Sequence, residues 1–256
     1  MSAPQHQSSL DLATRLKVLA RSCTVVARRP LSSSLVEIVL GGDASQLAGV
    51  PGNDVMVLVD SGDGSFTRRR YSVRSVDESA DTFTLWVATT HDGPAARWAQ
   101  TVHEGETVDI VGPRGKIPLD AAADWHLFIG DVSSLGAFYR MAQSIEAPGR
   151  AIFIVELDDS SDALTAAFDE ALGVTAIFVD RDERAHADPA GLLSGLAAFT
   201  LPPDEGHAYL FGEFHVMRAL KTALLDRGLR AEQISFKAFY RIGQANGANG
   251  EPSKDL

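Results

Sequence analysis

The chain is poor in cysteine and in long apolar runs, and each scarcity removes a class of protein. Of its 256 residues only Cys23 carries a thiol. No internal disulfide framework can form, and cysteines cannot hold an iron–sulfur cluster. Cys23 reads as a small strand hydrophobe. No segment approaches the roughly 20 apolar residues of a membrane span, and the N-terminal MSAPQHQSSLDLATRLK has no uninterrupted apolar stretch. Membrane insertion is therefore not expected, and a cytoplasmic location is. Basic residues are outnumbered 23 to 34, for a net charge of -11. That balance argues against nucleic acid or anionic membranes as bulk partners, so an anionic ligand must meet a local basic patch. The seven histidines fall in no HExxH or Cys/His ligand spacing, and GxSxG and GxxxxGK[ST] are missing. No metal site, hydrolase elbow or P-loop is expected.

What is present reads as two regions. Residues 1–10 look disordered, and Leu12, Leu16 and Leu19 recur at helical spacing in a short segment ending near Ala20. Six Val/Ile/Leu-rich runs follow, CTVVARR, SLVEIVLG, DVMVLVD, YSVRSVD, TFTLWVATT and ETVDIVGP, divided by Gly, Asp, Ser and Pro clusters. Six short strands with such punctuation predict an antiparallel barrel, interrupted by one short helix over Ala95–His103. After Pro118 apolar runs alternate with helical segments: HLFIGD, a helix over Ser134–Glu146, AIFIVELD, a helix around Ser161–Leu172, TAIFVD, the segment Ala190–Phe199, HAYLFGE, a helix over Phe214–Arg227, and ISFKAFYRIG. This alternation predicts a parallel sheet covered on both faces. The expected organisation is a β barrel plus α/β: a barrel domain at 20–120, an α/β domain at 124–243, and a polar, Gly/Asn-rich tail at 244–256.

Two segments carry the chemistry. Arg69-Arg70-Tyr71-Ser72-Val73-Arg74 puts cations, an aromatic face and a hydroxyl at the end of a strand. Some twenty residues on, Gly93-Pro94-Ala95-Ala96-Arg97-Trp98-Ala99 opens a helix whose first N–H groups favour phosphate. Separately they read as a solvated basic run and a capped helix; in this order they suit a flavin and its diphosphate. Arg69 offers a planar fork for the diphosphate. Trp98 suits core packing better than ring stacking, and Arg97 reads equally as a diphosphate contact or a solvated charge. Gly112-Pro113-Arg114-Gly115 reads as a turn or as a loop near the flavin. The run Ile129-Gly130-Asp131-Val132-Ser133-Ser134-Leu135 follows a strand and opens a helix without being a GxGxxG fingerprint.

The succession RxYS, a His-containing GPA-x-RWA run, DIVGPRG, a strand ending in GD, another ending in GE, and FYRIG resembles the siderophore-interacting proteins. These are flavin-dependent ferric-siderophore reductases related to the ferredoxin reductases, and the resemblance covers about residues 20–252. It implies an FAD-binding barrel followed by a Rossmann-like, NAD(P)H-binding-type domain. By that resemblance Tyr71 lies against the isoalloxazine, Ser72 approaches N5, and Arg69, Val73, Arg74, His91, Gly93, Pro94, Ala95 and Ala96 hold the cofactor. Asp131, Ser133, Ser134, Gly212 and Glu213 would serve the nicotinamide side, and Tyr240 would cover the flavin or pack beneath the tail. Arg68, Arg114, Lys237 and Arg241 are candidates for meeting an anionic ferric siderophore. Ala96 stands where relatives commonly carry Ser or Thr, Val132-Ser133 where Glu-Thr is usual, Gly136 replaces a later Pro, and Tyr240 stands where Trp is usual.

The implied activity is transfer of electrons from NADH, NADPH or reduced ferredoxin through FAD to siderophore-bound Fe(III), releasing Fe(II). Two other readings stand beside it. One is a non-catalytic FAD- or siderophore-binding sensor or partner module; the other is a flavin reductase with a different acceptor.

Overall fold

The computed structural model describes residues 3–62, 66–115, 117–146, 150–163 and 173–243. The chain divides into two compact units, Met1–Pro118 and Leu119–Leu256.

In the first unit, α1 (Ala3–Leu16) leads into six strands: β1 (Leu19–Pro30), β2 (Leu35–Gly41), β3 (Asp54–Asp60), β4 (Phe66–Asp77), β5 (Thr82–Ala88) and β6 (Thr107–Arg114). They close into a barrel in the order β1-β2-β5-β4-β3-β6, every pairing antiparallel. Alternation sets what faces inward. Val55, Val57 and Val59 of β3 join Cys23, Ile38, Leu40, Val73, Leu85 and Ile110 in the barrel core. The intervening Met56 and Leu58 point the other way, against Leu12 and Ala13 of α1. That second cover explains why DVMVLVD is apolar at nearly every position: β3 is buried on both faces.

The reading of residues 1–10 as disordered is corrected over 3–10, which are helical. The apolar contacts of the helix with the barrel come from Leu12, Ala13 and Leu16. The helix is held by tertiary packing more than by propensity. Gly112 to Arg114, expected as turn or loop, belong to β6. Cys23 is buried in the core, and burial pushes its thiol up to about 12, so it is a packing residue and not a nucleophile.

The second unit carries a parallel sheet in the order β11-β10-β7-β8-β9, from β7 (Trp125–Asp131), β8 (Ala151–Leu157), β9 (Thr175–Asp180), β10 (Gly206–Glu213) and β11 (Ile234–Tyr240). The described helices are α2 (Pro94–Thr101) in the barrel unit, and α3 (Leu135–Ala142), α4 (Ala190–Ala198) and α5 (Phe214–Asp226) here. One sheet face packs Leu127, Ile129, Ile154 and Leu210 against Leu192 and Leu196 of α4 and Leu220 and Leu224 of α5. The other carries an aromatic layer in which Phe138 of α3 lies 5.3 Å from Phe128, 5.8 Å from Phe153 and 5.5 Å from Phe211, centroid to centroid. Two-sided burial is why these strands read as unbroken apolar runs.

The helix expected over Ser134–Glu146 ends at Ala142, preceded by a 3-10 turn over Val132–Ser134. Most of the helix expected around Ser161–Leu172, and the tail at 244–256, lie outside the described residues; Ser160–Asp162 form a 3-10 turn.

At the amino edge of the sheet the incoming chain is tied down. Asp120 N–H donates to the Tyr209 hydroxyl at 2.7 Å, and the Asp120 carboxylate lies 3.1 Å from His207 Nδ1, whose Nε2 is 2.9 Å from Ser235 Oγ. His126 stacks 6.1 Å from Tyr209 on the same face. Burial is the main cause that pushes its pKa down to about 4, with the neighbouring His207 adding to it and Asp120 opposing.

Candidate flavin and donor sites

In the barrel unit α2 packs against β4 and the neighbouring strands, so the two motif halves meet in space. Gly93 caps α2 in an extended conformation (φ −151°, ψ 165°) with no side-chain cap, and Pro94, with its fixed φ and missing N–H, takes the first helical position. A Cβ built on Gly93 meets nothing within 4 Å, so backbone and solvent meet there. Ala95 and Ala99 turn into the barrel core, where Trp98 also packs, as expected for it, and Ala96 is buried beside them. Arg97 pairs with Asp92 at 2.7 Å, both exposed. His91, in the preceding loop, is half-buried.

Strand alternation divides the RRYSVR segment. Arg69 and Tyr71 stand opposite Val57 and Val55, on the core-facing side, and Tyr71 packs on the core. Burial raises its pKa, against the pull of Arg69, so the phenol stays protonated. Arg70 and Ser72 stand opposite Met56 and Asp54, on the other side. Asp54 is also opposite Arg114 of β6, so Ser72, Asp54 and Arg114 form one row across three strands. Burial, and then the positive charge of Arg70, lower the Arg114 pKa, with Asp54 opposing. Two guanidiniums near enough to disfavour each other form a local positive patch on an acidic chain. Arg68 is exposed on the same strand. Arg74 is buried, with Cζ 4.9 Å from the Trp86 ring centroid, and the Trp86 indole N–H donates to Glu37 at 3.2 Å. Its charge is thus stacked against the barrel wall.

This donor set fits a flavin dinucleotide: a helix N-terminus without a side-chain cap, a guanidinium and a tyrosine ring on one strand face with one residue between them, and the next residue's hydroxyl, Ser72, on the strand's other face. The proximity of Arg70 to Arg114 went unread in the sequence, because β4 and β6 are brought near each other only by β3, which lies between them and pairs with both.

In the second unit the expected donor-side residues gather at the carboxyl ends of β7 and β10, with Tyr240 at that of β11. Asp131 Oδ1 accepts from Ser133 N–H at 2.9 Å and from the Ser133 hydroxyl, while Oδ2 accepts from Tyr240 OH at 2.8 Å. Glu213 Oε2 accepts from His215 N–H at 2.5 Å and Val216 N–H at 3.1 Å, capping α5. Ser134 Oγ donates to Phe211 O at 2.5 Å. Gly212 has φ +151°, and a Cβ there would lie 2.9 Å from Asp131 Oδ2. Around the corner, Arg181 pairs with Glu156 at 2.6 Å and with Asp158 at 2.6 Å, all three largely buried.

Of the siderophore candidates in this unit, Arg241 Cζ sits 5.0 Å over the Phe214 ring at the half-buried end of the sheet. Lys237 is corrected: it is 4% exposed, with Nζ 5.4 Å from the Phe239 ring, a placement for packing and not for meeting a bulky chelate. It was misread because β11 is an edge strand whose solvent side cannot be told from composition. No group of three or more metal-ligating side chains occurs among the described residues. No described helix is long and apolar enough to cross a membrane.

Residues 52–117 match the siderophore-interacting FAD-binding domain, and residues 123–243 match the siderophore-interacting protein domain. An uncharacterized protein of Mycobacterium tuberculosis is 29% identical over 188 residues, 69% of this chain and 65% of that protein. The ferric vibriobactin reductase ViuB of Vibrio cholerae is 28% identical over 98 residues, 38% of this chain and 35% of that protein. The chain thus spans less than two thirds of the length of either relative. Among solved structures, a siderophore utilization protein from T. fusca superposes with a TM-score of 0.76 at 23% identity, covering 91% of this chain and 96% of that one. The ferredoxin reductase of carbazole 1,9a-dioxygenase gives 0.68 at 21% identity, covering 87% and 70%. These likenesses establish the ferredoxin-reductase-like fold, and the two domain matches, which together take in most of the chain in the order expected, establish that it belongs to the siderophore-interacting protein family with its FAD-binding domain.

Proposed function

We propose that the protein is an FAD-dependent reductase of ferric siderophores, drawing electrons from a reduced donor, nicotinamide dinucleotide or ferredoxin, and working in the cytoplasm. The observation that carries this reading is the meeting of β4 and α2: Arg69 and Tyr71 share one strand face against which the helix opened by Gly93-Pro94 packs. FAD, when bound, supplies the conversion of a reduced donor's electrons into single-electron delivery to Fe(III). The chain's part is to hold and orient. Arg69 and the Ala95 and Ala96 N–H groups neutralise the diphosphate. Tyr71 supports the ring, Ser72 offers its hydroxyl to the ring edge and His91 completes the surround, while Val73 in the core and Arg74 stacked on Trp86 hold the strand behind them.

Hard oxygen donors hold Fe(III) much better than Fe(II), so reduction loosens the iron without cutting the chelator. On a chain of net charge -11, Arg68 and Arg114 of the first unit are the cations we assign to the incoming anionic complex, and Arg241 of the second unit is a separate candidate. The ferric vibriobactin reductase among the relatives supports the acceptor class.

The test is to purify the protein, record its flavin absorbance, and follow Fe(II) release from a ferric siderophore with a ferrous chelator after chemical reduction. Bound flavin and released Fe(II) are expected. A protein that takes up no flavin contradicts the proposal outright, and flavin that reduces without releasing Fe(II) points to another acceptor.

A further inference from the structure

At the amino ends of the second unit's strands, three side chains stand in the order carboxylate, imidazole, hydroxyl. Asp120 Oδ2 lies 3.1 Å from His207 Nδ1, and His207 Nε2 lies 2.9 Å from Ser235 Oγ. Asp120 is held below its ordinary pKa chiefly by the Ala122 N–H, and His207 is lowered mainly by burial, so at neutral pH the pair is a carboxylate and an uncharged imidazole. A carboxylate only accepts, so Nδ1 carries the ring proton. Nε2 keeps its lone pair, and the Ser235 hydroxyl donates to it. That is the tautomer and the direction of bonding that a serine nucleophile needs. The chain has no GxSxG elbow, but a triad is defined by geometry and roles and not by spacing along the chain.

Each member is fixed from a second side. The Asp120 N–H donates to the Tyr209 hydroxyl, and Asp120 Oδ1 accepts from Ala122 N–H at 3.0 Å. The His207 ring stacks 4.7 Å from that of Tyr209. The parallel register sets Ser235 beside Tyr209, two residues on from His207, so the three share one sheet face. Asp120 and His207 would suffice to pin the incoming chain to the sheet. That tie does not need a half-buried hydroxyl on the far nitrogen of the ring. Ser235 also lies on an edge strand, whose one partner among the described residues is β10. Alternate N–H groups on the open side of β11 stand outside the ladder, and donors of that kind stabilise an oxyanion. On the flank of β10 and β11, Arg230 is held by Glu205 and Glu232. Its guanidinium is not free for an anion, which favours an uncharged ester.

We infer that Asp120, His207 and Ser235 form a nucleophilic triad, so that the second unit carries an activity of its own, hydrolysis of uncharged carboxylic esters. Ser235 Oγ bonds to the acyl carbon as its proton passes to His207 Nε2. The ester C–O bond then breaks, and the alcohol leaves with that proton. Water repeats the cycle on the acyl-serine, giving its own proton to Nε2; the carboxylic acid departs and Ser235 recovers its hydroxyl. Asp120 is the positioning residue, holding the imidazole and stabilising its transient charge. None of the three belongs to the flavin site, so this activity stands apart from the proposed reductase.

The test follows p-nitrophenolate release from p-nitrophenyl acetate by the FAD-loaded protein, with a fluorophosphonate probe and peptide mass mapping on the same preparation. Wild type is expected to turn the ester over and to take up the probe on Ser235. Ser235→Ala and His207→Gln should both fall to the rate of buffer alone, with circular dichroism and flavin absorbance unchanged. The ionisable groups around His207 are Asp120, His126 of β7 and Tyr209, and of these Asp120 holds its pKa up against burial. The acid limb of kcat/KM should therefore lie below pH 6.5 in the wild type and move lower in Asp120→Asn, whose rate drops about ten-fold or more. A wild type that does not turn the ester over overturns the inference, as does hydrolysis that survives in folded Ser235→Ala or His207→Gln, or a probe bound elsewhere. Fe(II) release by dithionite-reduced Ser235→Ala should match that of the wild type, so the reductase reading is judged separately.

Discussion

Tyr240 donates its hydroxyl to Asp131 Oδ2 at 2.8 Å across 109 residues of sequence, joining the last strand of the chain to the first strand of its sheet. Burial foremost, then the Asp131 charge and this bond, hold the phenol well above its ordinary value, so it remains a donor throughout the neutral range. A hydrogen bond from a buried donor to a carboxylate is worth about 1.5–3 kcal/mol. Tyr240→Phe should lower unfolding stability by that amount in a denaturant titration, with an unchanged m value. A loss below the error of the measurement would mean that solvent replaces the bond.

Arg69→Ala should weaken FAD retention about ten-fold or more, through loss of a charge-assisted contact, while leaving the fold intact, since Arg69 is partly exposed and outside the barrel core. Flavin fluorescence on dilution reads the affinity, and circular dichroism reads the fold. Unchanged retention removes Arg69 from the diphosphate.

Gly130→Ala places a methyl 2.2 Å from Phe211 O and 2.5 Å from Ser134 Oγ. The carbonyl belongs to a central strand and cannot step aside cheaply. Overpacking of this kind costs about 1–3 kcal/mol or more, which a drop in Tm would report. Gly93→Ala, with open space around its Cβ, should change Tm by far less.

Acid should loosen the second unit before it loosens carboxylate pairs. His126 is held down to about 4 from its ordinary 6.5, and His207 is lowered too, mainly by burial with Asp120 opposing. Below pH 6.5 the unfolded chain takes up protons that the folded imidazoles refuse. The stability is whole above pH 6.5 and is lost as pH falls toward about 4; His126 alone accounts for about 3 kcal/mol at the end of that window. Asp120, held below its ordinary value chiefly by the Ala122 N–H, adds a loss only at still lower pH. His126→Phe, which retains a ring against Phe128 and Tyr209, should flatten the fall in Tm between pH 6.5 and 4.

Arg181 is the buried cation between Glu156 and Asp158. Arg181→Ala should cost about 3–5 kcal/mol, because two carboxylates are left facing each other without it. Glu156 is already raised by burial, with Arg181 the first influence pulling it back down. Its folded pKa should therefore climb in the variant, and the defect should be largest above the carboxylate range and shrink as pH falls. A defect independent of pH would argue that packing, not charge, is what Arg181 supplies.

Much of the fold was readable in one dimension because each architecture has its own hydrophobic rhythm. The six barrel strands and the five strands of the parallel sheet all appear where runs such as SLVEIVLG and AIFIVELD place them. The first ten residues were not readable, since α1 earns its place by lying on Met56, Leu58 and Val111 and shows no long apolar face of its own. Of the flavin motif, the order of the two segments was legible. Which residues share a face was only half so: period-two alternation pairs Arg69 with Tyr71 and Arg70 with Ser72, but the proximity of Arg70 to Arg114 depends on β3 pairing with both β4 and β6. Lys237 was misplaced for a similar reason, because a lysine on an edge strand gives no sign in the sequence of which side is covered.

By itself the sequence determined the class of the two units, their order and their family, because strand and helix periods, turn residues and the spacing of RRYSVR from GPAARWA are local properties of the chain. What only the tertiary structure decided is which of the named residues are still available to a ligand. Asp131, Ser134, Glu213 and Tyr240 stand where a donor site is expected, yet their polar atoms are engaged with one another and with the backbone across strands β7, β10 and β11. Hydrogen-bond partners so far apart in the chain are chosen by the packing of the sheet, and no reading of residue types along one segment can supply them.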